Sequence, residues 1–577
     1  MSASATASAS PTPASSTELP QRDLLDLARR FNGYTGSELA RTTPFDYKIG
    51  DTERFSLINL DTAEPYEITA TVQAITDHAY FFVEDGSPYS SAWPSQVSAD
   101  FESIVWPTVT DAFGEPRTPG VDSDARITVL NASLHGAGGY VSGLDEYPPA
   151  AIAHSNGREM VYIEDSALGE PGPAYNSLIS HELQHLVHSN GDTNEESWVN
   201  EGLSQVAWEM GGGGTDAVWG FLGRPDTQLN DWPLGDTSVH YGESELFFDY
   251  LLDHYGGREN AKALVDKQGN GIEGVQEYLD GFGKQFDDVF ADFACADLLD
   301  LADGPCSHAN FDGRTTVIDE PTATGGLGDV GQYGTDYIRV AGEPGEVFKF
   351  DGSDDVTIGI QNKDGAFWWS GRSDSIDSRL TREVDISSVT AATLEFDTWY
   401  ETEDGWDYAY VAASTDGGDT WKTLPGQHTT DKNPVGASYG SGYTGKSGGW
   451  THETVDLGGY AGKKVLLRFE LINDDATNLV GFAVDNIEIP AIGFTDGADS
   501  ADGWTAEGFS RIEGPLAQRF IVQVIHDDGS VQSVEVGAGN TASIPLSADK
   551  ITIVISGATR NTTEPASYTW KIERTTA

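Results

Sequence analysis

The hydrophobic periodicity of this chain changes near residue 320, and the change limits the folds that the chain can adopt. Before it, strand-like stretches such as YEITATVQAI, HAYFFVEDG, RITVLNA and MVYIED alternate with helical patterns at 23–31 and 174–189 and in ELFFDYLLDHY, RENAKALVDK and QFDDVFADFACADLLDL. After it, only short alternating runs remain, separated by Gly, Asp and Asn: ATLEFDTWY, DYAYVAAST, KVLLRFELI, GFAVDNIEI, RFIVQVIHD and KITIVISGA. The first pattern predicts an α+β domain, and the second predicts all-β sandwiches.

A chain of 577 residues is too long for one hydrophobic core, so a multidomain protein is expected. Residues 1–22 are rich in Ser, Ala, Thr and Pro, which predicts a flexible linker. We assign residues 23–320 to the α+β domain and residues 366–512 to an inner β domain. The remaining segments, 321–365 and 513–577, are expected to pair with each other as a second, discontinuous sandwich, here called the outer sandwich.

The charge balance excludes several classes of partner. The chain has 92 acidic and 33 basic residues, a formal net charge of −59. Nucleic acid and anionic membrane surfaces both require a basic footprint, so neither is expected as a partner. No apolar run is long enough for a transmembrane segment.

The N-terminal linker lacks the apolar stretch of a signal peptide, but such linkers commonly follow a removed export signal. We therefore expect a secreted or cell-surface protein, with the linker as a possible surface tether. In an exported protein Cys295 and Cys306, eleven positions apart, favour a local disulfide slightly over two free thiols.

Residues 181–185 read His-Glu-Leu-Gln-His within a helical pattern. Side chains four positions apart lie on one face of a helix, so His181 and His185 can reach one zinc ion. Glu182 lies between them in the sequence and can accept a proton from a zinc-bound water as the catalytic base. A surface helix with two ordinary histidines is the alternative interpretation of this pattern.

A third zinc ligand is expected at Glu201, sixteen residues after His185 in EESWVNEGLSQVAWEM. A carboxylate in the middle of this amphipathic stretch would be costly to bury without a partner, and a metal ion supplies that partner. Glu195 and Glu196 are expected to lie solvated in a polar turn. His188, three positions after His185, is expected to point partly away and not to bind the metal.

Two resemblances support this ligand set. SWVNEGLS resembles the third-ligand segment of the aminopeptidase N-like gluzincins, which read W-L-N-E-G-F-A. HELQH followed at short spacing by WVNEGLS is similar to hyicolysin-type neutral zinc metallopeptidases. The resemblance implies a zincin-like α+β domain in which the Glu of N-E-G, here Glu201, is the third ligand. Position 205 is Gln, whereas thermolysin-like enzymes have an Asp there that orients a histidine.

SVHYGESELFFDYLL resembles the segment of aminopeptidase N-like enzymes that supplies a transition-state-stabilising tyrosine. The match falls on Tyr241, with His240 as the alternative donor to a developing oxyanion. A simple packing role for Tyr241 at the start of a helix is equally compatible with the sequence. The strand MVYIED is either the sheet edge on which an extended substrate lies or an ordinary core strand.

The C-terminal half resembles the jelly-roll accessory domain of immune inhibitor A-type metallopeptidases. The segments that carry the resemblance include GWDYAYV, STDGGDTW and GFAVDNI, which occur in that order. Acidic residues cluster in turns of this half, where calcium often stabilises such sandwiches. Asp485 is the best single calcium candidate, and solvated turn carboxylates are the alternative for Asp404, Asp407, Asp416, Asp474 and Asp475.

The ligand set predicts an extracellular zinc endopeptidase that acts on proteins or peptides. The alternative is a surface adhesion protein whose β domains bind glycan or protein while the metal site is vestigial. An aminopeptidase is a third possibility, but the G-x-M-E-N signature of that class is absent from the sequence.

Overall fold

The N-terminal segment follows the surface of the inner β domain. The computed structural model of the protein describes residues 19–168, 172–361, 363 and 365–574, so residues 1–18 of the predicted linker lie outside the described residues. Gln21 forms a β-bridge with Ile376. Helix α1 (Leu24–Asn32) follows, and the Asp23 carboxylate caps it by accepting hydrogen bonds from the amides of residues 25 and 26. The apolar face of α1 packs against strands of the inner β domain.

A mixed six-stranded sheet organises the α+β part. Its strands are β1 (Thr52–Asn59), β2 (Glu64–Ile75), β3 (Ala79–Glu84), β4 (Ile127–Ala132), β5 (Gly139–Tyr140) and β6 (Met160–Glu164). They are ordered β1-β2-β3-β4-β6-β5. Strands β3, β4 and β6 are parallel, and the other neighbours are antiparallel.

Alternate residues of the sheet enter two different cores, as the pleat of a strand requires. Phe81 and Val129 face the helices, whereas Phe82 and Leu130 face a smaller core on the opposite side. The remaining helices of the described residues are α2 (Trp93–Asp100), α3 (Trp106–Phe113), α4 (Pro173–Gly191), α5 (Ser197–Met210), α6 (Asp216–Leu222), α7 (Ser238–His254), α8 (Lys262–Val265), α9 (Ile272–Asp280) and α10 (Phe286–Leu299). A π-helical turn (Phe101–Val105) joins α2 to α3, and 3₁₀ turns occupy Gly143–Glu146, Asp165–Leu168, Arg258–Asn260, Gly458–Tyr460 and Pro490–Ile492.

Most strands and helices predicted from periodicity are present with small shifts at their ends, but α7 already begins at Ser238, and RENAKALVDK forms only a 3₁₀ turn and the short helix α8. The sequence analysis missed β1, β5, the helical run from Trp93 to Phe113, α6 and α9. Pro94 lies in the first turn of α2, where a proline is tolerated, and Pro107 lies just after the π-helical turn that joins α2 to α3.

Four strands lead from the α+β part to the inner β domain: β7 (Gly325–Val330), β8 (Asp336–Val340), β9 (Glu346–Gly352) and β10 (Asp355–Val356). The inner β domain then contributes β11 (Ala366–Trp369), β12 (Asp377–Asp385), β13 (Thr393–Glu401), β14 (Tyr408–Ser414), β15 (Lys422–Thr423), β16 (Thr451–Asp456), β17 (Lys464–Ile472), β18 (Gly481–Ile489), β19 (Phe494–Asp496), β20 (Thr505–Glu507) and β21 (Ser510–Glu513). One of its sheets has the order β16-β13-β18-β11-β21, with β19 also paired to β18, and the other has the order β15-β14-β17-β12-β20. Inward-facing residues of both sheets share one apolar core.

The last strands are β22 (Leu516–Ala517), β23 (Phe520–His526), β24 (Val531–Ser533), β25 (Thr541–Pro545), β26 (Ile551–Gly557) and β27 (Ala566–Arg574). They pair with the strands that precede the inner β domain, in sheets ordered β24-β23-β26-β8 and β25-β9-β27-β7, and β10 pairs with β22. The chain therefore enters the outer sandwich, leaves it to form the inner β domain, and returns.

The disulfide between Cys295 and Cys306 is formed. It lies in an apolar cluster where α10 packs on the outer sandwich through residues such as Tyr337 and Val554. Among the described residues, no helix combines the length and the apolarity needed to cross a membrane.

Candidate metal centre

Helix α4 brings His181, Glu182 and His185 to one face at the interior of the α+β part. Leu183 and Leu186, on the other side of the helix, are at most 1% exposed and fix it in the helical core. Because that packing sets the rotation of the helix, the two imidazoles and the Glu182 carboxyl share one cavity, as the four-residue spacing predicts.

The nitrogen and oxygen atoms of three side chains converge in this cavity. The Nε2 atoms of His181 and His185 lie 3.1 Å apart. Glu201 places its Oε2 3.3 Å from the first nitrogen and 3.5 Å from the second. A tetrahedral zinc ion with bonds of about 2.0–2.1 Å holds its ligand atoms about 3.3–3.4 Å apart. The spacing of these donor atoms therefore fits zinc, and their chemistry does as well.

Helix α5 carries Glu201, and a residue of the inner β domain caps that helix. Asp374 Oδ2 accepts hydrogen bonds from the Ser197 amide at 2.7 Å and from the Ser197 hydroxyl at 2.6 Å. A carboxylate at a helix N-terminus satisfies free backbone amides and interacts favourably with the helix dipole. The inner β domain thus helps to fix the helix that presents Glu201.

Asn200 orients His185, a role that the sequence analysis did not assign. Its Oδ1 lies 2.9 Å from His185 Nδ1, and the Ser204 hydroxyl lies 3.1 Å from the same nitrogen. An acceptor on Nδ1 leaves the Nε2 lone pair free for a metal ion. The sequence signal was the residue directly before Glu201.

Glu182 lies against the edge strand of the sheet. A Cβ atom added to Gly139 would be 2.5 Å from Glu182 Oε1, so only glycine allows β5 to approach this closely. The strand predicted as a possible edge, MVYIED (β6), pairs on one side with β4 and on the other with β5. It is therefore an interior strand, and β5 is the sheet edge next to Glu182.

Tyr241, in the first turn of α7, faces the three candidate ligands. Its ring centroid lies 6.4 Å from that of His181 and 4.9 Å from that of Trp232. Burial, and then the charges of Glu201 and Glu182, raise the pKa of its hydroxyl well above 10. The ring of His240 contacts Trp232 instead, at a centroid distance of 6.2 Å, and burial lowers its pKa. Of the two predicted donors, the structure places Tyr241 beside the ligands.

The site favours an ionised Glu201. Burial opposes ionisation, but the His185 and His181 imidazoles outweigh it and lower the pKa of Glu201. Burial would lower the pKa of His185, but the Glu201 carboxylate raises it to about 9. Burial also raises the pKa of Glu182, against the opposing effect of the two histidines. The site thus combines an ionised Glu201 with a second carboxyl, Glu182, whose proton affinity is increased by burial.

The other candidate ligands lie elsewhere. His188 is buried beside Gln184, and burial lowers its pKa to about 3. The expectation that Glu195 and Glu196 are solvated is wrong, because both carboxylates accept hydrogen bonds from other residues of the fold. Glu195 accepts from the Gly271 amide at 2.6 Å, and Glu196 accepts from the indole of Trp198 at 2.8 Å.

The predicted calcium candidate Asp485 gains no support from its surroundings. Its Oδ2 lies 2.9 Å from the Lys363 ammonium, which is also 2.8 Å from Asp397. The charge of this buried carboxylate is therefore balanced by a lysine. Among the described residues, no three-membered group of potential metal ligands includes Asp485.

Comparisons with known proteins bear on the C-terminal half. A family model described as "Immune inhibitor A-like, MAM domain" matches residues 343–514. The pre-pro-metalloprotease PrtV of Vibrio cholerae serotype O1 (strain M66-2) is 29% identical over 160 residues, which are 27% of this chain and 17% of that protein. Immune inhibitor A of Bacillus thuringiensis subsp. alesti is 31% identical over 138 residues, 24% of this chain and 19% of that protein. Bacillopeptidase F of Bacillus subtilis (strain 168) is 28% identical over 94 residues, 16% of this chain and 5% of that protein.

These similarities confirm the resemblance to immune inhibitor A-like metallopeptidases that the strand motifs indicated. Residues 343–514 include the whole inner β domain, and they do not include the HELQH helix. The chain spans less than a fifth of the length of each of these relatives.

Proposed function

We propose that this chain is an extracellular, zinc-dependent endopeptidase whose metal is bound by His181, His185 and Glu201. The observation that carries the proposal is the convergence of three donor atoms, all within 4.8 Å of one another, from two helices that no local pattern brings together. We also assign the α+β part to the zincin-like class. A mixed sheet, a helix with both histidines and a second helix with the carboxylate support this assignment.

When bound, zinc supplies a water of lowered pKa and polarises the scissile carbonyl. Glu182 takes the proton of the attacking water and later delivers it to the leaving amine. Its place on the ligand helix, its burial and its raised pKa suit a group that must accept and return a proton. Tyr241 remains protonated and donates a hydrogen bond to the developing oxyanion.

The substrate is proposed to lie extended along β5. This strand is a sheet edge beside Glu182, so its free backbone groups can pair with a peptide and hold the scissile bond near the base. The extracellular location is supported by the disulfide between Cys295 and Cys306, because disulfides persist in oxidising compartments outside the cytosol.

The decisive experiment compares the parent with Glu182→Gln in zinc content and casein hydrolysis. The proposal predicts about one zinc per chain in both proteins and hydrolysis only in the parent. Glutamine keeps the shape of the side chain and cannot accept the proton. A zinc-loaded parent that cleaves neither casein nor a peptide library would favour the adhesion protein with a vestigial site.

Ligand identity is tested by a matched pair on the same helix. His185→Asn should lose zinc because it removes one of the converging nitrogens. His188→Asn should retain zinc, since His188 lies beside Gln184 and outside the group. Equal zinc contents in the two variants would contradict the assignment.

A further inference from the structure

A second group of carboxylates lies further along the two helices that carry Glu201 and Tyr241. Helix α5 carries Glu201 and, eight residues later, Glu209. Helix α7 carries Tyr241 and, four and eight residues later, Glu245 and Asp249. Eight residues of helix span about 12 Å. The group is thus separate from the zinc ligands and is connected to them by two rigid helices.

The oxygens of Glu209, Glu245 and Asp249 lie within 4.8 Å of one another. Glu245 is fully buried, with 0% exposure. Neither of its carboxylate oxygens has a hydrogen-bond partner among the described residues. An ionised group in this state is unfavourable unless a cation or a proton neutralises it.

Arg258 balances only part of the charge. Its guanidinium contacts Glu209 at 2.7 Å, Asp249 at 3.1 Å and Asp253 at 3.0 Å. It makes no ion pair with Glu245 among the described contacts. Three carboxylates therefore share one guanidinium, and Glu245 has no cationic partner among the described contacts. Burial and then the charge of Glu209 raise the pKa of Glu245 to about 8, and burial raises that of Asp249. The geometry gives the same picture, because one guanidinium contacts three of these carboxylates and none of the described ion pairs reaches Glu245.

We propose that Glu209, Glu245 and Asp249 bind a hard divalent cation of the calcium type. The three carboxylates offer oxygen donors alone, which calcium prefers and which suit zinc less well. Bidentate carboxylates together with water can reach the six to eight oxygens that calcium takes. The partly exposed Glu209 side chain, at 26%, gives the ion and its waters access from the surface.

The bound cation ties α5 to α7. The two helices already pack closely, since a Cβ atom added to Gly202 would be 2.4 Å from the Phe248 ring. A cation bound by these three carboxylates fixes the position of Glu201 relative to Tyr241. The site therefore acts on stability directly and on catalysis only by positioning, so its test does not depend on peptidase activity.

The test is a calcium titration of the full chain after metal removal with EDTA and reloading with one equivalent of zinc. Calorimetry gives the number of calcium ions bound, and thermal unfolding with and without calcium gives the shift in Tm. The parent should bind one calcium more than Glu245→Gln. Calcium binding at this site should raise the Tm of the parent by at least about 2 °C. In calcium-free buffer Glu245→Gln should be at least as stable as the parent, because it removes an unpartnered buried carboxyl.

Two further variants complete the design. Glu243→Gln is the matched control, because Glu243 is also a buried carboxyl of α7 but lies outside the group. It should keep the parental calcium stoichiometry. Glu209→Gln changes a partly exposed side chain, so it should fold and should weaken this site at least about tenfold. The proposal would be overturned if either Glu245→Gln or Glu209→Gln bound as much calcium as the parent. The group would then be a cluster of Arg258 with carboxyls of which some are protonated.

Discussion

Replacement of Gly139 by alanine should disable the proposed base without disturbing the metal. A Cβ atom at this position would lie 2.5 Å from Oε1, 2.9 Å from Cδ and 3.0 Å from Cγ of Glu182. Ordinary contacts of this kind need about 3.5 Å. Glu182 or strand β5 must therefore move by roughly 1 Å, in a place where Glu182 is only 3% exposed and has little room.

A displacement of about 1 Å at a catalytic group can lower the rate about 100-fold, or about 2.7 kcal/mol in activation free energy. We expect kcat of Gly139→Ala to fall by about this factor. Zinc content should stay at the parental value, because the three atoms nearest to the new Cβ all belong to Glu182.

The assay is steady-state hydrolysis of a peptide substrate together with a zinc determination on the same samples. Gly138→Ala is the matched control, since a Cβ there meets nothing within 4 Å. It should leave kcat unchanged. Parental kcat in Gly139→Ala would refute the placement of Glu182, and equal losses in both variants would show that the strand tolerates no side chain at all.

Two other substitutions test contacts that the fold creates. Asn200→Ala removes the nearer acceptor on His185 Nδ1, so zinc affinity measured by competition with a chelating dye should fall about 10- to 100-fold; unchanged affinity would mean that the second acceptor is sufficient. Arg30→Met leaves the buried carboxylates of Asp377 and Glu470 without the guanidinium that now lies at 2.5 Å from each. Breaking such a group costs about 3–5 kcal/mol, so urea unfolding should show a free energy of unfolding lower by that amount, and an unchanged midpoint would contradict a structural role for the α1 contact.

The sequence alone was sufficient to predict the features that depend on residues close to one another in the chain. The i, i+4 spacing of His181 and His185 is a property of one helix, and the strands after residue 320 follow from alternation over a few residues. The link from Glu201 to these histidines needed more than periodicity. It came from the N-E-G segment and from the cost of burying a carboxylate, and the structure brings these three side chains together.

Features that depend on distant segments were not predictable in this way. Asp374 caps Ser197 across 177 positions of sequence, and no local pattern marks it as a cap. Asp485 was predicted as a calcium ligand, and no local pattern indicates that the fold places Lys363 2.9 Å from its carboxylate. The segment MVYIED would suit an edge strand and an interior strand equally well, so its composition does not decide between the two.

The physical reason is that periodicity records which face of an element is buried, and not what is packed against that face. The sequence therefore determined the candidate ligands, the base and the change from α+β to all-β structure. Tertiary structure alone decided that β5 forms the sheet edge, that Asn200 orients His185, and that two helices place Glu245 in a second group of carboxylates.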